Sequence, residues 1–331
     1  MSKYPLSPDL FTDNVQKEPI RAGFGRGLKT AGETNEAIVA LSADLTESTQ
    51  MHLFRDAFPN RFIEIGVAEQ NLVTVASGLA HAGKIPFVSS YAAFSPGRNW
   101  EQIRTTIALN NMPVKVVGSH AGVSVGPDGA THQMLEDIAL MRVLPRMVVI
   151  APGDSLEAEK ATKLLAENDQ PSYLRLAREK TPVFSTPDSP FEIGKAYVLR
   201  EGHDIALMGT GTMTYQLLLA AKLLAEEGIE AEVVHVPTIK PLDSATILKS
   251  AKKTGRVVTA EEAQAAGGFG SAIAELLTSE LPMPVKRIGM QDRYGESGAP
   301  DELIERFGLS GETMVEGIKE FIKTMPRYHQ E

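Results

Sequence analysis

Several short stretches of this chain carry residue types that can do chemistry. Gly66-Val67-Ala68-Glu69-Gln70-Asn71 puts a carboxyl directly after a tight turn, in the first turn of a helix. The helix dipole and free N–H groups favour a carboxylate there, so support of the helix alone would explain Glu69. Gly118 to Gln133 gathers His120, Asp128 and His132 on a backbone with glycine at 118, 122, 126 and 129. Histidine can donate to a developing alkoxide or move a proton near neutral pH. Single histidines usually sit in surface or core hydrogen bonds, but two with an aspartate in one glycine-rich loop favour a site. Tyr91 and Phe94 lie three apart and can share one face, either packing in the core or stacking on a planar ligand ring. Arg178 closes an apolar stretch, where it could pair with the acidic surface or bind phosphate in bidentate fashion.

The elements that must position these groups follow from hydrophobic pattern. Phe62 to Ile65 reads as a short strand, Gly66 as a turn, and 67–82 as a helix with an apolar face of Val67, Leu72, Val75, Ala76, Leu79 and Ala80. Further strands are expected at 37–41, 85–90, 114–118, 147–151 and 172–177, with helices near 19–30, 98–110, 132–143 and 155–167. The loop Ser42 to Ser48 leaves a strand at its carboxyl end, the edge where open α/β sheets bind ligands. Residues 1–17 are polar and proline-bearing and read as an arm on a neighbouring surface. Around 179–193 the alternation breaks in an exposed linker with three prolines between 182 and 190. It restarts as strands 204–208, 231–236, 256–260 and 284–289, with helices 212–227, 243–252, 269–279 and 311–324. Gly209-Thr210-Gly211 and Gly267-Gly268-Phe269-Gly270 read as strand-to-helix turns. Two open α/β domains are expected, a parallel-sheet domain over 1–185 and a smaller one over 194–331.

Composition sets bounds on function. The 331 residues include 33 Lys plus Arg and 42 Asp plus Glu, a formal net charge of −9. With no basic run, neither nucleic acid nor an anionic membrane is an expected partner, and basic residues act singly. No apolar run is long enough to span a bilayer, and Met1-Ser2-Lys3-Tyr4-Pro5 lacks a signal-peptide core. The absence of cysteine excludes disulfides and thiolate chemistry and fits a cytoplasmic protein.

Gly-Val-Ala-Glu-Gln-Asn, followed by a helix and then Ile85 to Tyr91, resembles the pyrimidine-binding domain of thiamine-diphosphate enzymes. Ser90-Tyr91-Ala92-Ala93-Phe94 resembles a transketolase segment whose aromatics stack on the cofactor's pyrimidine. Gly126 to Gln133 resembles the transketolase Gly-x-Asp-Gly-x-(Thr/Ser)-His-Gln loop, with Pro127 and Ala130 departing from common residues. The resemblance implies that Glu69 hydrogen-bonds the aminopyrimidine and is catalytic, a role suited to a dry carboxyl of raised pKa. It implies cofactor contacts for Tyr91, Phe94, Gln70 and Asp44, with Trp100 a further candidate. His132 and His120 become catalytic and sugar-contacting groups, and Asp128 reads a hydroxyl. Arg21, Ser48 and Arg178 take the phosphate-contacting positions.

The resemblance spans the chain yet covers about half of a standard transketolase. The family's Gly-Asp-Gly motif with a downstream asparagine, which holds diphosphate and Mg²⁺, is not found. The expectation is therefore the C-terminal subunit of a split transketolase, silent alone. It would assemble around a homodimer core with a separate N-terminal subunit holding the diphosphate and metal, and move a two-carbon ketol unit between sugar phosphates. A 1-deoxyxylulose-5-phosphate synthase-like enzyme, a 2-oxoacid dehydrogenase β subunit and a non-catalytic scaffold are the rival readings.

Overall fold

The computed structural model describes residues 4–328, so the first three residues of the expected arm and the last three of the chain lie outside it. Fourteen strands are named in chain order. The first sheet contains β2 (Ile38–Ser42), β3 (Phe62–Glu64), β4 (Ile85–Tyr91), β5 (Lys115–Ser119), β6 (Val148–Ile150), β7 (Ser172–Arg175) and β12 (Thr238–Lys240). Its order is β12-β6-β7-β5-β4-β2-β3, parallel throughout except for β12. The second sheet runs β14 (Val285–Met290), β13 (Val257–Gln264), β10 (Ile205–Gly209), β11 (Ala231–His235), β9 (Tyr197–Arg200), with only β9 antiparallel.

Both faces of the first sheet are buried, which is why its strands read as continuous apolar runs. Phe87, Val117, Ile150 and Leu174 pack with Phe24, Leu28, Ala158 and Leu165 from the helices Ile20–Thr34 and Ser155–Ala166. On the other face Val88, Val116 and Val149 pack with Leu72, Val73, Ala76, Ile103 and Ile107. Each large apolar side chain buried in this way contributes about 1.5–3 kcal/mol. The first pair of helices touches backbone to backbone, because a Cβ on Gly23 would lie 1.7 Å from the Ser155 carbonyl oxygen. That contact sets the helix whose first turn carries Arg21.

Several expectations need refinement or correction. The surface on which the described part of the arm lies belongs to this same chain: Tyr4 and Leu10 are buried with Ile205 and Leu207, and β1 (Lys17–Pro19) pairs antiparallel with β8 (Lys180–Pro182). The stretch 179–193 is not an exposed linker, since Phe184, Ser185, Ser189 and Phe191 are buried and β8 lies within it. In both places a few apolar anchors inside a polar, proline-rich composition decide the packing. The halves are also interlocked, because β12 comes from the second half and completes the first sheet. Finally, the helix expected over 132–143 is only Asp137–Arg142, and 98–110 is a short helix Trp100–Gln102 running into a π-helical stretch Ile103–Ala108. No helix among the described residues is long and apolar enough to cross a membrane.

Candidate active site

The chemistry-bearing loops converge at the carboxyl edge of the first sheet. β4 and β5 are neighbours with Tyr91 opposite Ser119, so the residue after each strand pair falls into register. His120 consequently stacks on Tyr91, with ring centres 3.8 Å apart and planes 23° apart. Tyr91 lies near-parallel to Phe94 at 6.0 Å, and His132 meets Phe94 edge-on at 5.4 Å. Four of the residues singled out from sequence thus form one aromatic cluster.

Glu69 opens the helix Glu69–His81 and is only 2% exposed. Its Oε2 accepts a hydrogen bond from Arg98 Nη1 at 2.7 Å, and its backbone carbonyl accepts one from Asn99 Nδ2 at 2.8 Å. The Arg98 guanidinium also sits 5.1 Å from the Phe94 ring centre. A buried carboxyl beside an aromatic pair is a place for a flat heterocycle with a hydrogen-bonding edge, and here a guanidinium, itself flat and hydrogen-bonding, fills that role. Gln70 is exposed beside Glu69. Trp100 points its indole N–H to the Leu140 carbonyl at 2.8 Å, a packing contact.

Glu64, at the end of β3, organises the adjoining turns. Its carboxylate accepts from the backbone N–H of Asp44 at 2.7 Å, from that of Gly66 at 2.9 Å, and from Thr46 Oγ1 at 2.9 Å. Asp44, exposed and in the left-handed region at φ 58°, is thereby tied to the turn before Glu69. Ser48 stands half-buried in the same loop.

On the other side of Tyr91, Arg21 Nη1 lies 3.0 Å from His120 Nε2, and His120 Nδ1 lies 2.9 Å from Ser119 Oγ. Burial, and then the charges of Arg21, Arg178 and His132, push the His120 pKa down to about 3. The ring is therefore neutral at physiological pH. Arginine can only donate, so Nε2 accepts and Nδ1–H donates to Ser119. This suits His120 to holding Arg21 better than to moving protons near neutrality. Arg21 has its own pKa lowered, by burial first and then by the charge of Arg178. Two guanidinium charges brought to one corner invite an anion.

Arg178 Nη1 donates to the Val125 carbonyl at 2.6 Å and stands 3.7 Å from Asp128 Oδ2. It thus spans the Arg21 corner and the glycine loop. In that loop Gly122, Gly126 and Gly129 adopt φ of 91°, 83° and 73°, and His132 Nδ1 engages Thr131 Oγ1 at 2.9 Å. The loop is held from the second half of the chain: Ser124 N–H donates to Glu262 Oε1 at 2.7 Å and Gln133 Nε2 to the Glu296 carbonyl at 2.9 Å. Sequence reading missed Arg98, Glu64, Glu262 and Gln133 as parts of this assembly. Arg98 had a faint signal, a basic residue four after Phe94, whereas the contacts of Glu262 with Ser124 and of Gln133 with Glu296 join residues 138 and 163 positions apart and leave no local trace. No group of three or more His, Asp or Glu among the described residues could hold a metal ion.

A parallel α/β sheet with buried polar and aromatic groups gathered at its carboxyl edge, and a second α/β unit behind it, defines a ligand-binding enzyme unit. Comparison with known proteins specifies which one. The transketolase pyrimidine-binding domain matches residues 16–183 and the transketolase C-terminal domain matches 194–314. A protein of Methanocaldococcus jannaschii named a candidate transketolase C-terminal section is 44% identical over 307 residues, covering 92% of this chain and 96% of its own length. The 6-deoxy-6-sulfo-D-fructose transketolase subunit of Clostridium sp. (strain MSTE9) is 42% identical over 310 residues, covering 94% of this chain and 96% of its own. A solved structure described as a split gene transketolase, inactive beta4 tetramer, superposes with a TM-score of 0.87 at 44% identity, covering 93% of this chain and 99% of that one. The chain belongs to the transketolase family. Within it, the chain carries the pyrimidine-binding and C-terminal domains and is similar over nearly its whole length to a transketolase C-terminal section and to a split-gene transketolase chain.

Proposed function

We propose that this chain supplies the pyrimidine grip and the sugar grip of a thiamine-diphosphate-dependent transketolase completed by a separate N-terminal subunit. Together they transfer a two-carbon ketol unit from a ketose phosphate to an aldose phosphate. The observation that carries this reading is the single cluster in which buried Glu69 and the Tyr91–Phe94 pair adjoin His132, His120 and the Arg21–Arg178 corner. In this reading residues 1–185 are the pyrimidine-binding domain and 194–331 the C-terminal domain.

Bound thiamine diphosphate supplies the carbon nucleophile and electron sink that no side chain offers. Glu69 holds the pyrimidine edge, while Tyr91 and Phe94 give its ring a dry stacking surface; Gln70 and Asp44 border the same place. Arg21, Arg178 and Ser48 hold the terminal anion of the sugar and so fix the register of its carbons. Asp128 reads a hydroxyl through an acceptor oxygen. His132, with Nδ1 engaged by Thr131, offers Nε2 to the hydroxyl whose proton leaves as the donor C–C bond breaks. The same nitrogen returns that proton when the acceptor aldehyde adds. Mg²⁺ and the diphosphate fall to the N-terminal subunit, so the chain alone is inactive. Its copies pair as a homodimer core capped by two partners in a cytoplasmic heterotetramer serving pentose phosphate chemistry. That the split-gene neighbour was solved as an inactive beta4 tetramer supports the silent-alone expectation. The sulfosugar named for the Clostridium relative marks a sulfonate as a second anion such a corner could take.

Calorimetry with thiamine diphosphate and Mg²⁺ tests the division of labour. Tight binding only after mixing with the N-terminal subunit is expected; tight metal-dependent binding by this chain alone would overturn it. Donor assays on the mixture test the reaction. Consumption of pyruvate in place of ketose phosphate would move the chain to the deoxyxylulose-phosphate synthase reading. Full activity of a Glu69→Ala complex would instead favour a scaffold subunit.

A further inference from the structure

The glycine loop that carries Asp128 and His132 cannot set its own shape. Three glycines in left-handed backbone within eight residues leave many conformations open. Arg178 braces it at the Val125 carbonyl from the first half, and further restraint comes from the second half of the chain. At its start, Glu262 of β13 accepts from Ser124 N–H, and Glu262 is itself oriented by Thr212 Oγ1 at 2.8 Å. Along its length, the segment Gly295–Pro300 lies against the bare faces of its glycines. A Cβ on Gly129 would stand 2.6 Å from Ser297 Oγ, and one on Gly126 would stand 3.0 Å from Pro300 Cγ.

Gln133 joins the two. It is 3% exposed, and its Nε2 faces three carbonyl oxygens: Val123 at 3.1 Å, Gly126 at 3.3 Å and, across the divide, Glu296 at 2.9 Å. Three acceptors around one nitrogen fix which way the amide points, because a flip would aim its oxygen at three others. The remaining Oε1 is buried with no hydrogen-bond partner among the described residues, and it is pressed against Gly295. A Cβ on Gly295 would lie 1.9 Å from Oε1. Gly295 is not in left-handed backbone, so space for the Gln133 amide is what requires a glycine there.

We propose that the segment Gly295–Pro300 is a clamp that positions Asp128 and His132 through Gln133, so that the C-terminal half governs sugar binding without touching sugar. The proposal rests on the reading of the 122–133 loop as the sugar-binding loop. Gln133 is thus a positioning residue, adjacent in sequence to His132 and linked through the loop to Asp128. It also gives the second sheet a task in a reaction carried out at the edge of the first.

The test pairs a change on each side of the divide in the two-chain complex. Gln133→Ala removes the amide, and Gly295→Ala wedges it out of place without altering the loop. Each is expected to raise KM for the sugar phosphate about tenfold or more, since misplacement near 1 Å costs up to about a hundredfold, with a smaller fall in kcat. Affinity for thiamine diphosphate should stay within about twofold. The double variant should be no worse than Gln133→Ala, because the wedge then has nothing to displace. An unchanged sugar KM in Gly295→Ala, or additive effects in the double variant, would overturn the clamp. So would a loss of cofactor affinity in step with sugar affinity, which would mean general loosening. Hydrogen exchange on the full chain gives a readout independent of activity. Faster exchange confined to 122–133 in Gly295→Ala supports the clamp, and unchanged exchange sinks it. If the wild-type complex turned over no sugar, the transketolase reading would fall while the exchange result still decided the clamp.

Discussion

The guanidinium of Arg98 bridges Glu69 and Phe94, its Nη1 2.7 Å from the Glu69 carboxylate and its carbon 5.1 Å from the Phe94 ring centre. An aminopyrimidine held by this chain would need the same two partners. In the proposed reading Arg98 stands where the cofactor ring would bind and would have to yield to it. Its side chain is half exposed, so it has somewhere to go.

If nine in ten molecules hold this bridge, the cofactor sees about a tenth of its intrinsic affinity. Arg98→Ala is then expected to bind thiamine diphosphate about tenfold more tightly in the two-chain complex, measured by calorimetry. Arg98→Met, which keeps an apolar stem over Phe94, should do the same. Weaker binding in both variants would mean that Arg98 serves the bound cofactor.

The Arg21–Arg178 corner predicts selectivity for charged sugars. Arg178→Ala should weaken use of a phosphorylated sugar by about 1.5–3 kcal/mol in kcat/KM, the worth of a charged hydrogen bond, and leave an unphosphorylated analogue nearly unaffected. Arg178 also braces the Val125 carbonyl, so Arg178→Lys is a useful second variant. Equal losses on both substrates would reassign Arg178 to loop support.

His120 predicts an acid-side loss of stability. Its pKa in the folded chain, about 3, lies below the ordinary value of 6.5. Between those values the unfolded chain carries a proton that the folded chain refuses, so stability falls as pH drops through this window and is fully present above it. The slope from one such group approaches about 1.4 kcal/mol per pH unit. Urea midpoints from pH 7 to pH 4 should show a shallower decline in His120→Gln, whose amide oxygen can still accept from Arg21. An unchanged slope would place the titration elsewhere.

Tyr4 predicts that the arm belongs to its own chain. Its hydroxyl donates to Glu157 at 2.6 Å, and Glu157 also meets His235 Nε2 at 2.7 Å, so one buried network joins the arm to the helix Ser155–Ala166 and to β11 of the second sheet. Tyr4→Phe should cost about 1 kcal/mol and Tyr4→Ala about 3 kcal/mol of unfolding free energy. Both losses should be independent of protein concentration. Losses that appeared only at concentrations favouring assembly would put the arm on a neighbour after all.

Much of the first sheet was legible because burial on both faces writes a strand as an unbroken apolar run, as in Ala37 to Leu41 and Ile85 to Val88. The final helix, Gly311–Thr324, lies where the regular apolar stripe put it, and in the structure Ser310 caps its start. β1, β8, β9 and β12 were not legible. They are three or four residues long and owe their conformation to the strand beside them, which local pattern cannot report. The short helix Pro300–Arg306 and the burial of Phe184 and Phe191 were hidden for a similar reason, inside stretches whose average composition is polar.

The sequence by itself determined the chemical inventory and its order along the chain: a carboxyl after a glycine turn, two aromatics, two histidines and an aspartate on glycines, and scattered arginines. It also determined the alternation of strand and helix that brings their loops to one sheet edge. Only the tertiary structure decided how those groups are paired. That Arg98 answers Glu69, that His120 is a neutral acceptor for Arg21, and that Gln133 reaches across to Glu296 depend on distances between residues 29, 99 and 163 positions apart. Periodicity encodes which face a residue takes, over the span of a single element. Charge pairing and burial depend on what the other elements bring to that face, and they exist only once the chain has closed on itself.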